Sequence, residues 1–325
     1  MAFADLKNDF VFRRIFATHP EILRGLLNDL LDRRGAETIE SLDYLPSEQL
    51  PIAEGAKLSI LDVRCKDRAG TTFIVEMQLM HHPGFVNRVV YNACKAYVGQ
   101  LKSGAPYPSL MDVVAISICD FELWPDAERD SQGVPAVPML SRWNITEQVS
   151  KRPGMLQVQY AFLELPKVPA ERPMTGGADL WAWLFVHAPS LTEVPADFAP
   201  GPFRDALELA NQAKFSLEEQ DAFERVRYEI WQVHAIAEAR SEAARAEGKA
   251  EGMAEGEALG RAEGRRAALL AVAAARDLSV SAAASALIES CDDVVVLNGW
   301  IQAAVTAESL EDAMARPARP ARPMG

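Results

Sequence analysis

Apolar positions along the first sixth of the chain recur at three- and four-residue steps. Leu6, Phe10, Ile15, Phe16, Ile22, Leu23, Leu26, Leu27, Leu30 and Leu31 set a helical period over residues 6 to 34, broken near His19-Pro20. Between residues 42 and 80 the period shortens towards two. Lys57 to Cys65 and Thr71 to Leu79 are short β-compatible runs, and Lys66-Asp67-Arg68-Ala69-Gly70 between them is turn-rich, so the pair predicts a hairpin. Phe85 to Leu101 predicts a helix closed by Ser103-Gly104 and Pro106. Asp112 to Asp120 is a continuous apolar run, as in a strand buried on both faces. Residues 124 to 205 mix Pro-rich loops with a strand near Leu156 to Leu165 and a helix near Ala178 to Ala188.

From about Phe203 the chain turns charged and helical. Glycine then falls at every fourth position, Gly248, Gly252, Gly256, Gly260 and Gly264. Each glycine costs a helix interior about 0.8–1 kcal/mol against alanine, which favours a weakly helical connector over a close helix pairing. An Ala/Leu-rich stretch to about Ala315 predicts a small helical module, and the Pro/Arg tail predicts disorder. The expected organisation is a domain over 1–205, a charged helix with the connector over 206–264, the module over 265–315 and the tail over 316–325.

Within the hairpin, Asp62 and Glu76 are the misfits, because carboxylates are depleted in apolar strands. Glu76 and Gln78 are two apart and share a face, while Val75, Met77 and Leu79 take the other. A three-residue loop of Arg68, Ala69 and Gly70 pairs Asp67 with Thr71 and sets Asp62 opposite Glu76, Cβ atoms about 4.5–5.5 Å apart. Two buried carboxylates at that spacing repel unless a proton or cation intervenes. Mg²⁺ favours an all-oxygen site of one or two carboxylates, waters and a substrate phosphate. Geometry alone leaves this reading beside another, two solvent-facing acids on an edge hairpin, since a one-residue register change separates them.

The charge total sharpens the choice. Lys plus Arg number 33 against 46 Asp plus Glu, a net charge of -13 that excludes a surface coated for nucleic acid. Yet no acidic residue occurs from Met77 to Met111. Arg88, Lys95 and Lys102 stand seven apart there, predicting a basic stripe on one side of a helix. A solvated face with charges of one sign is the alternative for this stripe. The four cysteines show no CxxC pair and the histidines no HExxH. Phosphate-loop, dinucleotide and nucleophile-elbow motifs are missing from the sequence too. No run is long enough to span a bilayer and the first residues carry early acids, so a cytoplasmic protein with no membrane partner is expected.

Taken together, Asp62, thirteen residues and then Glu76-Met77-Gln78 resemble the PD-(D/E)XK signature of the recombination-promoting nuclease (Rpn) and transposase family. Asn8 to Phe16 is similar to that family's opening helix, and Arg88-Val89-Val90-Tyr91 through Tyr97, Gln100 and Leu101 to its post-hairpin helix. Phe162 to Lys167 and the Glu-Gly repeats resemble its later segments, so the similarity covers roughly residues 5 to 265. The resemblance implies an α/β fold, a restriction-endonuclease-like αβββαβ core with a mixed central sheet, followed by the long helix and the small helical module. It implies a DNA endonuclease dependent on Mg²⁺ or Mn²⁺ and linked to recombination or mobile elements. Asp62 and Glu76 would be metal ligands, Gln78 would place water, Asp9 would complete the site, and Arg88, Lys95 and Lys102 would hold DNA. Gln78 stands where the wider superfamily has Lys and cannot carry its charge. That departure sustains an alternative, a catalytically weak DNA-binding or protein-interaction module. A third reading is an assembly protein, with homo-oligomers formed through the C-terminal helical region.

Overall fold

The structure, a computed structural model, describes residues 2–49, 58–101, 103–125, 137–171 and 177–315. Its contacts divide the chain into two units, Met1–Ile230 and Trp231–Gly325.

The first unit opens with α1 (Asp9–Phe16) and α2 (Pro20–Leu30). Asn8 caps α1, its side chain accepting from the Phe10 amide at 3.1 Å and the Val11 amide at 3.3 Å. Pro20 starts α2, where its missing N–H costs nothing. There follow β1 (Leu42–Tyr44), the two-residue β2 (Glu48–Gln49) and β3 (Ser59–Ile60), β4 (Val63–Asp67), β5 (Thr72–Gln78), α3 (Phe85–Val98) and β6 (Val113–Cys119). Then come β7 (Leu140–Trp143), β8 (Val158–Glu164), α4 (Ala178–His187) and α5 (Pro202–Ala210). One six-stranded sheet has the order β1-β4-β5-β6-β8-β7. Its centre, β5-β6-β8, is parallel and the flanking pairs are antiparallel. The α-β-β-β-α-β core is therefore present, in a mixed sheet as expected.

Both faces of the sheet are covered, which is why β6 is buried at every position. Val63, Cys65, Phe73, Val75, Ile116 and Leu163 face a core shared with the N-terminal helices, α4 and α5. Ile74, Ala115 and Phe162 face the other way, onto Phe85, Val89 and Ala93 of α3. The β4-β5 hairpin turns at Gly70, whose φ of +95° favours glycine, and the Asp67 amide donates to the Thr71 carbonyl at 3.1 Å. Pairing continues through Cys65 with Phe73 and Val63 with Val75, the predicted register.

The expected strand over 57–65 is broken after Ile60. The Leu61 amide donates to the Ser47 carbonyl at 3.0 Å, so the backbone leaves the hairpin ladder towards the β2-β3 ribbon. Lys57 lies outside the described residues. The boundary expected at 205 falls inside α5. The Ala4 amide reaches the Ala210 carbonyl at 2.8 Å, and Phe215 and Phe223 are buried in the same core, which keeps these residues in the first unit.

The glycine ladder is helical throughout. It lies within α6, one continuous helix of 59 residues, Leu217–Ala275. Ala, Glu, Leu, Met, Arg and Lys fill the positions between the glycines, and these are the strongest helix formers. In the second unit, α7 (Ala282–Glu289), α8 (Val294–Ala304) and α9 (Leu310–Ala315) form a small helical module with the end of α6, around Leu269, Ala273, Ile288 and Leu310. Arg276 completes the α8 terminus, donating to the Ala304 and Ala307 carbonyls at 2.8 Å each. The tail expected to be disordered, 316–325, lies outside the described residues. Among the described residues no helix is long and apolar enough to cross a membrane.

A Cβ built on any of the five ladder glycines meets nothing within 4 Å. Gly252→Ala and Gly256→Ala should therefore each stabilise α6 by about 0.8–1 kcal/mol. Thermal unfolding followed by helical circular dichroism reads this, and a loss of stability would contradict an open helix at these positions.

Candidate active site

Asp62 sits where β4 leaves its partner. The hydrogen-bonded pairs of the hairpin step by two from Asp67-Thr71 to Val63-Val75, so the next amide to be satisfied is that of Met77. Leu61 does not close this rung. Instead the Met77 amide donates to Asp62 Oδ2 at 2.8 Å. The other oxygen, Oδ1, accepts from Arg13 Nη2 at 3.4 Å, and Arg13 Nε donates to Asp9 Oδ1 at 2.9 Å. A helix N-terminal turn, through the Asp9-Arg13 pair, thus reaches a strand end.

Glu76 and Gln78 project from β5 towards α3, and their partners there are Asn92 and Arg88. Two strand residues rise about 6.8 Å and four helical residues about 6.0 Å, so an i,i+2 pair on β5 matches an i,i+4 pair on α3. Asn92 Nδ2 donates to Glu76 Oε1 at 3.3 Å. Arg88 donates through Nη2 to Gln78 Oε1 and stands 3.8 Å from Glu76 Oε2. Glu76 is only 6% exposed, which makes its ionisation costly. Burial pushes its carboxyl above the ordinary range and the charge of Asp62 pushes it further, against the pull of Arg88 and Asn92. Burial likewise raises Asp62, with Asp9 adding to the rise, while the Met77 amide and Arg13 oppose it.

A cleft of about 750 Å³ opens over these groups, lined by Ser59, Asp62, Glu76, Gln78, His82 and Arg88 among others. Two of the expected site residues lie elsewhere. Asp9 is not part of this lining; it borders a second cavity and reaches Asp62 through Arg13. Lys95 does not stand on an open stripe. It is 4% exposed, its Nζ donating to the Gln49 carbonyl at 2.8 Å and lying 3.5 Å from Ser59 Oγ. Seven-residue spacing does place Lys95 on the side of Arg88, but the β2-β3 ribbon covers that side two turns further on. Of the expected basic stripe, Arg88 stands at the cleft and Lys95 is covered, while Lys102 lies outside the described residues. Asn92 and Arg13 were not foreseen. Their signals were Asn92 four residues after Arg88, and Arg13 four after Asp9.

The donor set suits a hard divalent ion. Asp62 and Glu76 present carboxylate oxygens whose desolvation and repulsion a cation would relieve. Among the described residues no group of three or more His, Cys, Asp and Glu gathers as a metal cage.

Residues 6–239 match the family model described as PD-(D/E)XK nuclease family transposase. The match ends before the glycine ladder. Searches of curated proteins and of solved structures find no match.

Both carboxyls are raised in the folded chain, so the folded state binds their protons more tightly than the unfolded state does. Their contribution to stability is full below the ordinary carboxylate range and is lost as pH rises through the raised folded values. In chelator, Glu76→Gln should raise Tm at pH about 8, by about 2–4 °C for each ~1 kcal/mol relieved, with the gain shrinking towards pH about 4. Thermal melts across that range read the effect, and a Tm difference independent of pH would contradict it.

Proposed function

The chain belongs to the PD-(D/E)XK nuclease transposase family, and on that premise we propose that its Asp62-Glu76 cleft hydrolyses DNA phosphodiester bonds with Mg²⁺ or Mn²⁺. The observation that carries this reading is a buried carboxyl, Glu76, beside a half-buried one, Asp62, both with raised affinity for a proton, in a cleft bordered by Arg88. Asp62 and Glu76 would hold the ion. When bound, it would supply Lewis-acid stabilisation of the charge that builds on the phosphate.

The chain's own groups have separable roles. The Met77 amide holds one oxygen of Asp62 in place, leaving Oδ1 as the oxygen turned to Arg13. Asn92 holds Glu76 by one oxygen in the same way. Gln78 is fixed through its carbonyl by Arg88, so its amide group is oriented to donate to a water. Arg88, 43% exposed and beside Glu76, supplies the fixed positive charge that Gln78 lacks and can donate to a phosphate oxygen. Hydrolysis adds the water's hydroxyl to phosphorus and breaks one P–O bond, the leaving oxygen finishing with the water's proton. Use in recombination or mobile-element movement would follow from such strand cleavage.

The neutral Gln78 supports a second reading, in which the fold binds DNA and cleaves it poorly. Nicking of supercoiled plasmid with Mg²⁺ or Mn²⁺ separates the two. Asp62→Asn keeps an acceptor for the Met77 amide and should slow nicking by at least about 100-fold. Equal nicking by both proteins would remove the hairpin from the chemistry. DNA binding without nicking by either protein would favour the second reading.

A further inference from the structure

A second cavity, about 680 Å³, lies between α1 and the start of α6, lined by Asp9, Phe10, Arg13, Leu209, Glu219 and Arg225 among others, the two acids already paired with Arg13 and Arg14. All of these residues belong to the first unit. Arg13 joins this groove to the cleft, because the guanidinium that borders it also donates to Asp62. The groove walls are built by Arg14. Its side chain pairs with Glu219 of α6, donates to the Leu209 carbonyl at 3.3 Å and lies 4.9 Å from the Phe215 ring centroid. Those commitments make Arg14 the strut that holds α6 to α1 rather than a ligand group.

Arg225 has no such role. It is exposed, and among the described residues no carboxylate pairs with it. On a helix that carries Glu218, Glu219, Asp221 and Glu224 close by, an arginine kept out of ion pairs at the rim of a groove is available for an external anion. The floor of the groove is apolar, from Phe10, Leu209 and Val226, which suits sugar and base faces better than a free inorganic ion.

We infer that this groove holds backbone phosphate of the nucleic-acid strand whose scissile bond lies in the cleft, with Arg225 as its phosphate ligand and Arg13, held by Asp9 and Asp62, marking the path between the two. The inference rests on the DNA reading of the cleft and adds to it a second contact site, on the far side of Asp62. Continuity through Arg13 selects the occupant. A strand leaving the carboxylates past Asp62 meets Arg13 and then the groove.

The test uses the full chain, fluorescently labelled DNA duplexes of roughly 6 and roughly 25 base pairs, and Ca²⁺ in place of Mg²⁺ to suppress cleavage. Arg225→Ala should weaken binding of the long duplex about fivefold and flatten its salt dependence by about 0.9 in log-log slope, the value of one phosphate contact. The short duplex, confined to the cleft, should bind as it does to wild type, and Arg225→Lys should restore most of the long-duplex affinity. If Arg225→Ala binds both lengths like wild type while Arg88→Ala weakens both, the groove carries no DNA and the cleft reading stands. An equal loss at both lengths also overturns the groove assignment. Wild type that binds neither length overturns the DNA reading and the groove together.

Discussion

The hydrogen bond from the Met77 amide to Asp62 joins the sheet to the site. The backbone of β4 turns away at Leu61, and a side-chain carboxylate takes the amide that the next ladder rung would have satisfied. That substitution holds a charged group at the end of a strand whose neighbour, one register step across, is Glu76. The sheet is thereby finished at the cost of placing two carboxylates side by side under cover. The compensation comes from both layers around the sheet, Arg13 from the N-terminal helix and Arg88 and Asn92 from α3. Because strand and helix spacings match, α3 presents those two side chains to Glu76 and Gln78 without distortion.

Much of this was legible in the residues. Gly70 and the alternation along Thr72–Gln78 point to the turn and the register, and counting back from that turn sets Asp62 opposite Glu76. The β6 segment, apolar throughout, could only be a strand covered on both faces. Other features depend on what arrives from elsewhere in the chain. Helical spacing told which side of α3 carries Lys95 but not that the β2-β3 ribbon covers it. The break after Ile60 is hidden because Leu61 continues the apolar run while its amide turns to Ser47. The domain limit is hidden for the same reason, since Phe215 and Phe223 belong to a core formed by residues two hundred positions earlier. The glycine ladder is the reverse case, where a per-residue penalty is outweighed by the alanines and charged helix formers between the glycines.

Net charge needs the same local reading. A total of -13 describes the whole surface, yet the sequence from Met77 to Met111 is free of acids, and the cleft faces it with Arg88. What the total excludes is indiscriminate adhesion to DNA. It leaves room for a site where two acids are neutralised by a bound ion and a few arginines meet phosphate.

That neutralisation is the central claim, and Mn²⁺ titration of the full chain by calorimetry tests it directly. Wild type should take up about one Mn²⁺ per chain in the absence of DNA. The chain with both Asp62→Asn and Glu76→Gln should keep its fold by circular dichroism and lose that binding. Uptake unchanged by the double substitution would mean that the carboxylate pair is a structural feature and the ion site lies elsewhere.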